Sequence, residues 1–525
     1  MVYTKRWLFL LHRWLGVLLC VFFAMWFVSG VVMMYVGYPK LTPAERLEHL
    51  PLLRTAPMGL DPAQALAMAG LHGPLQDLRL AMASAGRAVY LATPAHETPS
   101  ARSKNARVHR PSVVVIDATT GAVLTGVDTA HALASATAYA GTEVTAVHEG
   151  AVDEDAFTHS RALDVHRPLH RVQLKDAQGT LLYVSGKTGE VVRDATRTER
   201  IWNYAGAWIH WLYPLRGNMF NVYWADIVNW LSIIGIAMTI LGTLVGLMRW
   251  RFAGTYRNGT RSPYPGAMMR WHHIAGLLFA VIAFTWIFSG LMSMNPWRVF
   301  DSGAAPLRAE AMDGGPLALP RQPASVQALL AAAPSGVREL RWTRTAGHTL
   351  VQATAPGERA VLLDATTAQP HTWKKGELEA AAAQLLPNPV ERIDTLQAYD
   401  TYYYTRDAHT MGGGAEKPLP ALRLVFGDKQ ASWVHIDPHT GVVLGRIDSH
   451  RRLSRWLFGM LHSWDWLPLL TLRPLWDIVL IVLSLGGAAM SLTGVVIGWR
   501  RVGLKLGAVR RAPLESQRAD SAIKF

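Results

Sequence analysis

Four histidines in this chain stand where histidine is costly. His12 and His272 lie near the starts of two apolar stretches, "LHRWLGVLLCVFFAMWFVSG" (11–30) and "WHHIAGLLFAVIAFTWIFSG" (271–290). His210 and His462 lie just ahead of two more. An ionisable side chain inside a membrane is expensive and usually functional. Neutral imidazole is also an axial ligand for haem iron, so paired histidines could hold haem with no covalent link. Taken singly, each could equally be an interfacial residue with its ring among the headgroups. Their spacing favours the ligand role.

Laid over each other at an offset of 260, the two stretches share the histidine, the glycine four residues on, a Trp and the closing Ser-Gly. At an offset of 252, residues 200–249 align without a gap with 452–501. The matches include His210 with His462, Trp224 with Trp476, Ser232 with Ser484, Gly242 with Gly494 and Gly246 with Gly498. Chance likeness between apolar helices predicts shared Leu and Val, not shared His, Trp and Ser. The chain therefore reads as two copies of one unit (helix in, external domain, helix back), related by a pseudo-twofold axis along the membrane normal. Each pair then faces itself across that axis, His12 with His272 and His210 with His462. A planar macrocycle on the axis receives one imidazole from each half, so the expectation is haem b, two per chain. Gly16 and Gly276 follow His12 and His272 by four residues, on the same helix face, and leave room for such a ring. His273 aligns with Arg13. Both are expected near the cytoplasmic headgroups or haem propionates, with His273 an alternative to His272 as ligand. Gly242-x-x-x-Gly246 and Gly494-x-x-x-Gly498 read as small-residue faces for close helix packing.

The elements that must position these residues are four apolar runs of the roughly 20 residues a bilayer requires, at about 7–35, 226–248, 272–294 and 477–499. The first follows Lys5 and Arg6 but far exceeds the roughly 7–15 apolar residues of a secretory signal, and reads as a retained anchor. Composition agrees: of 525 residues, 50% are apolar and 17% charged, with 20 Trp suited to membrane interfaces. The net charge of +14 does not point to nucleic acid, because the basic residues gather at the ends of the apolar runs. Arg249, Arg251, Arg257, Arg261 and Arg270 crowd one short loop, and Arg500, Arg501, Lys505, Arg510 and Arg511 crowd the tail. The positive-inside rule puts that loop and both termini in the cytoplasm. The expected division is helix 1 at 1–36, external region 1 at 37–200, a membrane-proximal segment with helix 2 at 201–250, a cytoplasmic loop at 251–270, helix 3 at 271–295, external region 2 at 296–452, a membrane-proximal segment with helix 4 at 453–500, and a tail at 501–525. The single cysteine, Cys20, allows no disulfide within the chain, and no Cys-x-x-Cys-His haem-attachment signature exists. Neither a dinucleotide fingerprint nor a P-loop is found.

The external regions repeat a pattern of their own. "VVVIDATTGAVLTGVD" (113–128), "LLYVSGKTGEVVRD" (181–194), "AVLLDATTAQP" (360–370) and "WVHIDPHTGVVLGRID" (433–448) each read as a strand, a turn and usually a second strand. Asp117, Asp364 and Asp437 can close the turns, and Gly121, Gly189 and Gly441 supply positive φ. With short helical patterns upstream, this is a small α+β module occurring about twice per half. The turns read as structural rather than catalytic. A loop, "YDTYYYTRDAHTMGGGAEKPLP" (399–420), brings Tyr402, Tyr403, Tyr404, Arg406 and His409 together, with "FTHSRALDVHRPLHR" (157–171) as its counterpart. Such a loop suits an anionic or aromatic iron chelate; alternatively its tyrosines pack a domain edge.

Hairpins ending in "IDATTGAVL" and "IDPHTGVVL", followed by "RWLFGMLHSW" and a membrane helix, resemble the PepSY-associated transmembrane family, over nearly the whole chain. The resemblance implies a membrane α-helical fold with α+β extracytoplasmic domains, four transmembrane helices in two parallel repeats, each half carrying PepSY-like modules. It further implies a multi-pass protein of the bacterial inner membrane with two large periplasmic regions. Family members include inner-membrane proteins of bacterial iron uptake, some of which look like haem-containing reductases of ferric siderophores, and others carry a fused flavin domain. The expected partners are the lipid bilayer, a ferric siderophore and a cytoplasmic flavoprotein or quinol donor. Two other functions fit parts of the sequence. Ferric-siderophore transport without redox activity would need a polar cavity at mid-membrane, where these spans offer mainly Ser, Thr and Gly. A regulatory or assembly role for the external modules would leave the repeated histidines without a purpose.

Overall fold

A computed structural model describes residues 2–55, 59–95, 113–216, 219–410 and 413–522. The chain divides into a helical unit (Met1–Tyr35, Tyr204–Asp301 and His450–Phe525) and a sheet-rich unit (Val36–Asn203 and Ser302–Ser449).

Long runs rich in Leu, Ile, Phe, Met and Trp make the principal helices of the helical unit: α1 (Val2–Tyr35), α2 (Trp224–Arg249), α3 (Ala267–Leu278), α4 (Ala280–Ser293) and α5 (Leu475–Ala522). Segments Tyr3–Tyr35, Asn221–Arg249 and Leu475–Leu504 are each long and apolar enough to cross a membrane. The helix expected at 271–295 is not one straight rod. It breaks at Phe279, and α3 and α4 meet at 65°, so the spans number three, or four if the bent pair counts as one. No proline causes the break. α3 is tied through His272 to the Met490 carbonyl of α5 and through His273 to the Gly246 carbonyl of α2. α4 is drawn instead into the central core by Ala283 and Ile287, which pack with Leu19, Phe23, Phe27, Met238 and Ala488. At the junction the Phe279 ring lies directly on the backbone of Gly486, and the Phe27 ring lies likewise on Gly487; a side chain at either glycine would strike the ring.

The sheet-rich unit holds three antiparallel sheets. β1 (Leu75–Ser84), β2 (Arg87–Pro94) and β3 (Val114–Asp117) belong to the first region, between α1 and α2. β4 (Ala146–Val152), β5 (Leu169–Leu174), β6 (Leu181–Ser185) and β7 (Val191–Ala195) form a four-stranded sheet in that order. In the second region come β8 (Glu339–Thr345), β9 (His348–Thr354) and β10 (Val361–Asp364), then β11 (Val390–Leu396), β12 (Ala421–Phe426), β13 (Trp433–Ile436) and β14 (Val443–Ile447), the last four again a sheet in chain order. The first three strands of each region do not stand alone. They merge into one six-stranded sheet, β10-β9-β8-β1-β2-β3, in which Arg79 lies opposite Arg341 and Leu80 opposite Leu340. Each three-stranded piece by itself would leave β1 or β8 as an open edge; pairing them closes both. Tyr90 and Trp342, both fully buried, anchor the common core.

The predicted turns have the expected chemistry. The Asp117 carboxylate accepts from the amides of Thr119 and Thr120, both at 2.9 Å, and Asp364 does the same for Thr366 and Thr367. Gly121, Gly189 and Gly441 have φ of 74°, 71° and 75°, conformations in which a Cβ is strained.

Two histidine pairs as the candidate functional site

The helical unit brings the four histidines together as two pairs. The rings of His12 and His272 have centroids 6.4 Å apart at 29°, and those of His210 and His462 6.1 Å apart at 79°. His12 sits near the start of α1, while His210 bonds to Ser29, 17 residues further along it. At about 1.5 Å per helical residue, that separates the pairs by about 25 Å along the axis.

Three of the four rings are oriented through Nδ1. His210 Nδ1 lies 2.9 Å from Ser29 Oγ and His462 Nδ1 3.0 Å from Ser289 Oγ. Both serines are buried, and their own protons are committed to backbone carbonyls, of Met25 at 2.6 Å and of Trp286 at 3.1 Å. The serine oxygens are therefore left to accept, so the proton is on Nδ1 and Nε2 keeps its lone pair. His272 reaches the same tautomer another way, with Nδ1 3.0 Å from the Met490 carbonyl and 3.2 Å from Thr493 Oγ1. His12 Nδ1 is buried and has no hydrogen-bond partner among the described residues. A second nitrogen held by an acceptor is the usual condition of a metal-ligating histidine.

The backbone around His210 and His462 is unusual. His462 follows a π-helical segment, Arg455–Met460, of a kind that concentrates at functional sites, and His210 follows a helical stretch kinked at Gly206. Two residues beyond each, Leu212 and Trp464 adopt the left-handed conformation, at φ of 54° and 47°, which costs a non-glycine residue free energy. Trp224 Nε1 donates to the Trp211 carbonyl at 2.8 Å, and Trp476 Nε1 to the Ser463 carbonyl at 3.1 Å.

Glycines set the room around the rings. A Cβ on Gly276 would meet nothing within 4 Å, and one on Gly16 would meet only Cys20 Sγ at 3.9 Å. Both border a cavity of about 270 Å³ that also reaches His12, His272, Arg13 and Arg501. Gly242 and Gly494 have the opposite use: a Cβ on them would lie 2.6 Å from His12 Cε1 and 3.2 Å from His272 Cε1. Gly30 and Gly290 stand in the same relation to His210 and His462, each at 3.7 Å. These glycines and the two serines were visible in the sequence as matched positions, but the small residues on α2 and α5 read there only as helix-packing faces. His273 is buried with both nitrogens engaged, Nδ1 with Ser262 Oγ at 2.8 Å and Nε2 with the Gly246 carbonyl at 2.9 Å. It joins the loop before α3 to α2 and has no nitrogen to spare.

Among the described residues, no group of three or more His, Cys, Asp or Glu could hold a metal ion. Two facing imidazoles suit a metal whose remaining ligands come from a cofactor.

The tyrosine-rich loop of the sheet-rich unit is more structural than its composition suggests. Tyr403, expected to face a ligand, is 2% exposed, stacks on His435 at 4.8 Å and donates its hydroxyl to the Pro418 carbonyl at 2.7 Å. Tyr402 packs edge-on against Trp433 at 5.3 Å, and Lys417 Nζ lies over the rings of Tyr403 and Tyr404 at 5.4 and 5.5 Å. His409 is held between Glu45 and Glu199, while Tyr404 and Arg406 remain partly exposed. In the counterpart segment His159 is buried against Glu154. Tyr403→Ala should cost about 3–5 kcal/mol of stability, the range for a buried aromatic, read as a lower denaturant midpoint of the sheet-rich unit. His435 beneath it makes that unit acid-sensitive. Burial first, then the Arg423 guanidinium, lowers its imidazolium from 6.5 to about 4. The unfolded chain takes up the proton first, so stability is intact above pH 6.5 and falls towards pH 4, by on the order of 3 kcal/mol in all. His435→Gln should flatten that part of the pH–stability curve.

No curated protein matches this chain. A family model described as the PepSY-associated TM region matches residues 9–501, nearly its whole length. A sequence match of that extent, on a chain that combines membrane-type helices with separate β-sheets, establishes kinship: this chain belongs to the PepSY-associated transmembrane family.

Proposed function

We propose that this chain is a di-haem electron-transfer protein of the bacterial inner membrane, passing electrons from a cytoplasmic-side donor to a periplasmic acceptor, with siderophore-bound ferric iron as that acceptor. The supporting observation is the spacing of the pairs. Two imidazoles on one iron put their ring centres about 6.2 Å apart, from metal–nitrogen bonds of about 2 Å and about 1.1 Å between nitrogen and ring centre. The two pairs stand at 6.4 and 6.1 Å. Rotation of one ring about the common axis, which differs between the pairs, leaves that distance unchanged.

Haem supplies a one-electron iron couple when bound. The chain's residues do the rest. His12 with His272, and His210 with His462, would be the ligands, and the Nδ1 contacts of His210, His272 and His462 leave their Nε2 atoms unprotonated. Gly16 and Gly276 leave space beside the inner pair, where Arg13 and Arg501 offer positive charge to the macrocycle's carboxylates. In this proposal the bent pair α3–α4 is the fourth span, the two halves are related by a pseudo-twofold axis, and the arginine-rich loop and termini are cytoplasmic. Both sheet-bearing regions are then periplasmic. The donor is a flavoprotein or a quinol at the His12–His272 end, since the chain shows no nucleotide motif of its own.

Detergent-purified protein from haem-replete cells should carry about two b-type haems, extractable by acidified solvent because no Cys-x-x-Cys-His can attach them. A colourless preparation overturns the proposal.

A further inference from the structure

We infer that His409 is a proton-operated clasp in the sheet-rich unit: as an imidazolium it fastens its loop to both ends of the first region, and on losing a proton it lets that loop go. The ring stands between two carboxylates, with Nε2 against Glu45 Oε1 and Nδ1 3.3 Å from Glu199 Oε1. Glu45 belongs to a short helix, Pro43–His49, just after α1, and Glu199 to another, Arg197–Asn203, just before the segment that carries His210. Each glutamate turns one oxygen to the ring and commits the other to a capping box. There Oε2 of Glu45 accepts from the Thr42 amide and Oε2 of Glu199 from the Thr196 amide, both at 2.8 Å. Beside the ring, the Gly37 amide donates to the His409 carbonyl at 2.8 Å, and Lys40 Nζ to the carbonyls of Thr410 and Gly413 at 3.1 and 2.6 Å. A Cβ on Gly37 would stand 2.5 Å from the His409 carbonyl oxygen, so only glycine lets the loop come this close.

A neutral imidazole donates from one nitrogen and accepts at the other. With a carboxylate on each side, one of the two contacts would then set lone pair against lone pair. Only the imidazolium donates to both. The clasp is therefore closed in mild acid and opens as pH rises through the range in which imidazole gives up its second proton, about 5 to 8. Glu45 stays ionised across that range: burial raises its carboxyl, but the hydrogen bonds of Thr42, then of His409, bring it below the usual value. Asp194 of β7, which accepts from the Tyr139 hydroxyl at 3.3 Å, is pushed up to about 6 by burial first and then by the charges of Glu45 and Glu199. Once ionised it favours the imidazolium, and when His409 passes its proton to solvent the three carboxylates are left repelling one another. Lys40 and, on the loop itself, Arg406 and Asp407 complete the charged groups around the ring. Proton uptake and docking of the loop are thus linked.

Amide hydrogen exchange of the full-length protein in detergent reads the clasp at Gly37, whose amide is bonded to the His409 carbonyl. Protection there, taken relative to an unfolded peptide at the same pH, should fall about tenfold between about pH 5.5 and about pH 8.5. That is the opposite sign to the acid loss expected from His435, and strands β4 to β7 should keep their protection over the same interval. His409→Ala should give the low value at both pH values. Glu199→Gln is the sharper test. Glutamine caps a helix as glutamate does, and its side-chain NH2 can donate to an unprotonated Nδ1 while Nε2–H still serves Glu45. That variant should therefore stay closed at both pH values. Gly37 protection that ignores pH in the wild type overturns the inference, as does protection that survives His409→Ala or still falls with rising pH in Glu199→Gln. Haem content enters none of these readings, so the di-haem proposal stands or falls separately.

Discussion

His12→Ala and His272→Ala should each remove the same haem and spare the other, and His210→Ala and His462→Ala should do the reverse. The rings meet in those pairs, at 6.4 and 6.1 Å, while the pairs are about 25 Å apart along α1. Loss of a residue that merely supports a ligand costs about 10–100-fold in metal affinity. Losing one of two axial ligands should cost more, enough to strip a noncovalently held haem during purification. The haem-to-protein ratio should fall from about two to about one, and His12→Ala combined with His272→Ala should fall no further than either alone. Gly242→Ala should mimic His12→Ala, because its methyl would stand 2.6 Å from His12 Cε1. Depletion of one shared haem by His12→Ala and His210→Ala would contradict the pairing.

Electron flow should need a partner at one end and a ferric acceptor at the other. NAD(P)H alone should not reduce the purified protein, since the sequence shows neither a dinucleotide fingerprint nor a flavin motif. After anaerobic reduction by dithionite, a ferric siderophore should reoxidise the haems, and a trapping chelator should collect ferrous iron. His462→Ala should slow this reoxidation by more than about tenfold, a barrier increase of at least about 1.4 kcal/mol. Tyr403→Ala should act differently, because its ring is buried and not presented to solvent. Any loss there should track the unfolded fraction and recover at lower temperature. Haems that stay reduced across a panel of ferric siderophores would point to another acceptor.

The histidines were legible because their cost in a membrane makes a repeated occurrence informative, and because matching Ser, Gly and Trp came with them. Gly16 and Gly276 were legible by helical periodicity. Ser29 and Ser289 were visible only as a shared Ser-Gly. Their bonds to His210 and His462 cross 181 and 173 residues, and nothing local marks the partner. The break at Phe279 was illegible for a related reason, since its cause is the tying of α3 to α2 and α5 while α4 is drawn into the core around Leu19, Phe23 and Phe27. Tyr403 was ambiguous because aromatic and cationic residues in a glycine-rich loop look alike whether they face a ligand or, as here, an inward His435. The strands and turns of the sheet-rich unit were readable by alternation, yet the pairing of β1 with β8 was not, because an antiparallel ladder between distant strands leaves no period in the sequence.

That ladder also has a consequence for biosynthesis. β1 leaves the ribosome about 260 residues ahead of β8, with α2, α3 and α4 made in between. Throughout that interval β1 is a bare edge offering unpaired amides and carbonyls, and contacts so distant in sequence form late. A nascent chain stalled or cleaved before residue 339 would carry that edge permanently and present it to other copies. The two halves, made as separate polypeptides in one cell, should find each other through the same edge, β8 of one closing β1 of the other.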